Sequence, residues 1–172
     1  MKKNVVRKRN YLYEGLTIVE IAVICLPWYL ALDSWKNAFL AGAITYLVLA
    51  WGLRLLLQRH HRKGMQLSRA EQYEAALECF EKSEAFFARN SWIDKYRFIT
   101  MFSSSAYGYR EMALQNQGFA LLKLNRPSEA IVPYEKLLAL TPERKEIAEI
   151  LKGIRLYLLK EEELSAEESA ES

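Results

Sequence analysis

Residues 111–142 read EMALQNQGFALLKLNRPSEAIVPYEKLLALTP, two helix-length stretches around the turn Asn125-Arg126-Pro127-Ser128. Pro127 and Ser128 suit the start of a helix, where a missing N–H costs nothing and a hydroxyl finds free donors. Gly118 and Ala130 are small enough to let two helices cross closely. Leu114, Leu121 and Tyr134 are large and sit at helical spacing around that crossing.

The stretch resembles a tetratricopeptide repeat. Leu114, Gly118 and Leu121 fall on that family's first-helix positions, and Ala130, Tyr134 and Pro142 on its second-helix and closing positions. A weaker copy lies upstream in RHHRKGMQLSRAEQYEAALECFEKSEAFF, residues 59–87. Its Gly64, Leu67, Tyr73, Ala76 and Phe80 precede Gly118, Leu121, Pro127, Ala130 and Tyr134 by 54 positions each. The family repeats about every 34 residues, so about 20 residues are inserted between the copies. The resemblance spans Leu57 to Leu159, and the upstream copy lacks the closing proline.

The inserted stretch, around 91–110, is rich in aromatic residues. Ser91-x-x-Asp94 has the form of a capping box. Trp92, Tyr96, Ile99 and Ser103 share one helical face, and Phe98 and Phe102 another. Because two repeats are short of the three or so that make a stable stack, an aromatic helix packed into the joint would supply the missing burial. The rival expectation is an exposed face that grips a partner. Beyond Pro142, Ile147, Ile150, Leu151, Ile154 and Leu158 form the apolar stripe of a capping helix that closes the array. From Glu161 to Ser172 the chain is acidic and rich in Ser and Ala, the composition of a disordered tail.

Upstream of the repeats the composition changes. Leu12–Leu32 and Ala38–Leu57 are almost wholly apolar and joined by five residues. Each is about 30 Å long as a helix, the thickness of a bilayer core. Trp28, Tyr29 and Trp35 cluster at the turn, as interfacial aromatics do. Met1–Asn10 carries five basic residues and Arg54–Arg69 another five, against Lys36 alone in the turn. The sequence therefore predicts a transmembrane hairpin over 11–57 behind a basic cytoplasmic tail, 1–10, with both termini cytoplasmic. Two buried core helices are the competing arrangement, because Glu14, Glu20, Pro27 and Arg54 are costly in lipid. Glu14 and Arg54 fall near the cytoplasmic boundary, where they pair or snorkel. Glu20 lies about 12 Å inside. It either contacts another membrane subunit or sits protonated against Tyr46 or Thr45. Unbroken helix from Ala38 through Ser68 is compatible with the pattern, with Gly64 its one strong interruption.

The fold class expected is thus all-α: the hairpin, then a short tetratricopeptide-like array over 58–160 with an inserted helix and a capping helix. The net charge of +3 is distributed in blocks that mark tails and membrane flanks, not a nucleic-acid surface. Cys25 and Cys79 share no metal or redox spacing. Nor is there a phosphate-binding glycine loop, a nucleophile elbow or a spaced ligand pair. His60 and His61 point about 100° apart on a helix and read as headgroup-level basic residues. No catalytic residue, cofactor or metal is expected, and the chain does not read as an enzyme.

The resemblance implies a scaffold that binds another protein or peptide, here at the cytoplasmic membrane face. It also implies that the first helix of each repeat lines the concave side. There an asparagine two positions before the glycine meets the backbone of a bound peptide. Asn116 holds that position, with Met112, Gln115, Phe119 and Lys123 near its face. Gly64, Ala76, Phe80, Gly118, Ala130 and Tyr134 are the packing positions, and Glu20 and Arg54 the intramembrane polar ones. The alternative function is a small structural subunit of a larger membrane complex, held by its hairpin.

Overall fold

A computed structural model describes residues 11–32, 34–103 and 105–171. The basic tail expected over 1–10 lies outside them. Among the described residues the chain is all-helical, nine helices without a strand. Two compact units emerge: one from residues 1–59 with 87–108, the other from 60–86 with 109–172.

The first unit is built on α1 (Tyr11–Ala31) and α2 (Trp35–Leu57), which pack side by side. Small residues allow this. Ala38, Gly42 and Ala50 are the buried positions of α2 and lie on one stripe. A Cβ on Gly42 would stand 2.4 Å from Cys25 Sγ and 3.0 Å from its Cα, so only glycine fits there. Trp28 Nε1 donates to Thr45 Oγ1 at 3.1 Å, and that hydroxyl donates to the Ala41 carbonyl. The remaining apolar surface faces outward, including Val23, Leu26, Leu47, Val48 and Trp51. α2 is long and apolar enough to cross a membrane, with only 11% of its apolar window buried. The described apolar part of α1, Ile18–Ala31, is shorter.

The first unit also contains the aromatic insertion, and this corrects the sequence expectation in two respects. One helix through the insertion is replaced by two short ones, α5 (Ser91–Lys95) and α6 (Arg97–Thr100), broken at Tyr96. Asn90, not Ser91, is the N-cap, and it makes no side-chain cap bond. The insertion is also built onto the α1–α2 pair and is not part of the repeat unit's core. α6 packs against α1. Arg54 Nε, on α2, donates to the Met101 carbonyl at 2.9 Å, and its Nη2 donates to the carbonyl of Phe102. Phe102, in the left-handed region at φ 48°, sets its ring edge-on to Tyr46 with centroids 4.8 Å apart. The face expected to be core points outward: Trp92 is 59% exposed, and Tyr96 and Ile99 are exposed with it. Met101, fully buried, fills that role instead.

Helix does not run unbroken from α2 into the repeats. It stops at Gln58, whose side-chain amide donates to Met101 Sδ at 3.7 Å, and α3 (Arg59–Arg69) begins afresh.

In the second unit, α3 pairs with α4 (Tyr73–Arg89), and α7 (Tyr109–Lys123) with α8 (Pro127–Leu140). The two pairs are near-copies at the 54-residue offset. Ala70 N–H bonds Gln66 O as Leu124 N–H bonds Ala120 O. Gln72 N–H reaches Leu67 O at 3.0 Å, and Arg126 N–H reaches Leu121 O at 2.9 Å. Between these bonds stand Glu71 at φ 60° and Asn125 at φ 57°, each ending its helix in the left-handed conformation of a Schellman-type stop. Gly64 abuts the ring of Phe80 as Gly118 abuts that of Tyr134, and Ala76 and Ala130 are fully buried. The two turns thus share their helix-stop hydrogen bonds, and the two glycines their aromatic neighbours.

α9 (Lys145–Glu171) packs against α8, burying Ile147, Leu151 and Ile154 as the stripe predicts. It continues as helix to Glu171, where the composition suggested disorder. Glu, Ala and Leu are strong helix formers and outweigh the unfavourable charges at the C-terminal end. His61 is a further correction. It is buried in the repeat core, edge-on to Phe80 at 5.8 Å and Tyr109 at 5.6 Å.

Candidate functional site

The five residues expected to bind a partner lie on α7, and the structure divides them. Gln115 is engaged within the chain: its Oε1 accepts from Arg144 Nη2 at 3.0 Å. Arg144 is buried, and its Nε also bonds Glu146 at 2.8 Å, holding that carboxyl below the usual range. Asn116 Nδ2 makes only a weak bond to Met65 Sδ at 3.4 Å. Its side-chain oxygen is an acceptor to which no bond is assigned among the described residues. Met112 is half-buried.

Phe119 and Lys123 are exposed and cooperate. The Phe119 ring, 43% exposed, is edge-on to Tyr73 at 6.2 Å, and Lys123 Nζ sits 5.7 Å above it. Tyr73 is the first residue of α4, so the patch joins both helix pairs. It combines an aromatic face, a cation and, one helical turn back, an amide. An extended peptide carrying an acidic or aromatic side chain suits that chemistry.

Three polar ties hold the two pairs in fixed register. Gln117 Nε2 donates to Phe80 O at 3.2 Å, Arg110 bonds Glu84 at 2.9 Å, and Arg126 bonds both Glu129 and Glu74. The patch thus draws its residues from two helix pairs that polar contacts connect. Sequence reasoning missed Tyr73 as a member of the patch and Arg144 as its brace. The signal for Tyr73 was its alignment with Pro127, a helix-start position beside the turn. Arg144 left no such signal, because its partner is 29 residues away.

The two polar positions expected within the membrane also separate. Arg54 is committed to carbonyls of the insertion. Both carboxyl oxygens of Glu20 are buried without a hydrogen-bond partner among the described residues. Thr45 does not satisfy them, since its hydroxyl serves Trp28 and Ala41. Among the described residues no cluster of three or more His, Cys, Asp or Glu side chains is placed to hold a metal ion. The chain matches no protein-family model, no curated protein and no solved structure.

Proposed function

We propose that the chain is a membrane-tethered, tetratricopeptide-like scaffold that binds another protein at the cytoplasmic membrane face. The observation that carries this is the pairing of two features in one chain. An apolar helix of 23 residues leaves its surface outside the protein core, and a duplicated helical array presents an open aromatic and amide patch. In this reading α1 and α2 cross the bilayer as a hairpin, and the basic residues flanking it hold both termini in the cytoplasm. Asn116 meets the backbone of a bound segment, and Tyr73, Phe119 and Lys123 hold one of its side chains.

Two experiments test the halves of the proposal separately. A reporter fused after Ser172 is active only in a form that works in the cytoplasm. Activity of an exported reporter there would remove the hairpin. The variants Asn116→Ala and Phe119→Ala leave stability within about 0.5 kcal/mol, because neither side chain is buried. They reduce capture of a partner that the full-length wild type retains from membrane extracts and that Glu163→Gln, in the tail of α9, also retains. Equal capture by all three variants would eliminate the patch.

One observation favours a second reading, a subunit within a larger membrane complex. An unpartnered buried carboxyl such as Glu20 is the kind of group that an outside helix satisfies. In that case Glu20→Leu abolishes stoichiometric co-purification with a membrane partner, while Asn116→Ala preserves it.

A further inference from the structure

The aromatic insertion has an unusual polar economy. Where the backbone leaves the helical pattern, side chains take up its carbonyls. Arg97 donates to Asp94 O at 3.0 Å, Ser105 O at 2.9 Å and Ala106 O at 3.1 Å. Arg54 serves Met101 and Phe102, and Thr100 Oγ1 donates to Ile93 O at 2.7 Å. Water would satisfy such groups on an exposed surface without help. Where water is scarce, each must be met from within the protein. The outward side of the same segment is not polar. Trp92, Tyr96 and Ile99 are exposed there, and Lys95 Nζ lies 5.5 Å from the Tyr96 ring.

The position of the insertion along α2 gives the reason. Arg54, which holds its backbone, stands three residues before α2 ends, about 5 Å back from Leu57, and Tyr46, which meets the Phe102 ring, lies deeper, at the middle of α2. Outward-facing apolar side chains on α2 continue past that level to Leu55 and Leu56. An element fixed beside a spanning helix at this height meets the headgroup and upper acyl region. Trp and Tyr settle there, and a lysine stem reaches back toward water.

We propose that the first part of the insertion, residues 91–103, is a membrane-interface wedge. Its Trp92–Tyr96–Ile99 face lies in the cytoplasmic leaflet, and Arg54 and Arg97 make its irregular backbone tolerable there. The partner for this face is the lipid bilayer. The inference rests on the tethered reading above, and it makes the insertion a third membrane contact. An additional protein surface is the competing use of such a face, and what favours lipid is the place of the insertion beside the exposed apolar surface of α2.

The test uses single-tryptophan forms of the full chain, reconstituted in phosphatidylcholine vesicles with a minority of phosphatidylglycerol. One form retains Trp92 (Trp28→Phe, Trp35→Phe, Trp51→Phe), and the other retains Trp51 (Trp28→Phe, Trp35→Phe, Trp92→Phe). Acyl chains brominated near the headgroup quench most of the Trp92 emission, chains brominated near their ends quench less of it, and aqueous iodide quenches little. Quenched Trp51 with unquenched Trp92 overturns the wedge and leaves the tether standing. Unquenched emission from both overturns the tether and the wedge with it. A second measurement needs no substitution. Hydroxyl-radical footprinting of the wild type in nanodiscs marks exposed Tyr157 of α9 severalfold more than Trp92, and equal marking overturns the wedge.

Discussion

Truncating Tyr134 to Ala lowers the unfolding free energy of the repeat unit by about 3–5 kcal/mol, the usual cost of removing a buried aromatic side chain. A small domain holds about 5–15 kcal/mol in total, so the variant melts far below wild type. The ring lies over Gly118, where an added Cβ would come within 2.5 Å of Cε2. That contact predicts a reversal of sign. In the wild type, Gly118→Ala overpacks a rigid ring and costs about 1–3 kcal/mol, less what helix propensity returns. In the Tyr134→Ala background the same methyl enters the vacated space, and the loss of glycine adds about 0.5–1 kcal/mol of stability. Phe80 and Gly64 repeat the arrangement, with 2.7 Å from the added Cβ to Cε1. Their cycle should give the same pattern. Thermal unfolding of the full chain in detergent, followed by helical circular dichroism, measures both cycles. Additive effects at either pair would mean that the glycine–aromatic crossing does not organise the unit.

The crossing was legible in the sequence because its physics is local. A glycine and an aromatic sixteen residues apart, separated by a helix stop, specify how two consecutive helices meet. The upstream stretch shows the same spacing, and the offset of 54 also relates the left-handed residues Glu71 and Asn125. The destination of the insertion was not legible. Trp92, Tyr96 and Ile99 share a helical face whether that face packs inward or points outward, and periodicity cannot tell the two apart. The decision lay with Arg54, 47 residues from the carbonyl that it holds, and no local pattern announces such a pairing. His61 was misplaced for a related reason. Basic neighbours give it the look of a membrane flank, yet α3 turns that one position toward Phe80 and Tyr109. The acidic end of α9 shows the limit of composition, which registers low hydrophobicity but not the helix propensity of Glu, Ala and Leu. The α7 patch was half legible: Asn116, Phe119 and Lys123 follow from helical spacing, whereas the diversion of Gln115 to Arg144 required coordinates.

Replacing Arg54 with Leu should release the insertion while leaving α2 at least as apolar as before. Two carbonyl acceptors, on Met101 and Phe102, lose their donor. The Met101 bond is half-buried and the Phe102 bond open to solvent, so only the first acceptor carries the cost of an unsatisfied buried group, about 1–3 kcal/mol. Phe102 adds to it. A non-glycine residue at φ 48° persists only where its surroundings hold it, and Arg54 does so together with the Ser103 N–H bond to the Arg97 carbonyl. Tyr46 touches the ring and not the backbone. At tenfold per 1.4 kcal/mol, amide hydrogen exchange within 91–103 should accelerate about 5- to 140-fold. Amides of α8 should exchange as in the wild type. Arg54→Lys separates charge from geometry. An ammonium carries the same charge but lacks the planar fork that reaches two carbonyls at once, so it recovers only part of the protection. Full protection in the lysine variant would assign the clamp to charge alone. Wild-type exchange in the leucine variant would show that buried Met101 and the Phe102–Tyr46 contact suffice to anchor the insertion to α2.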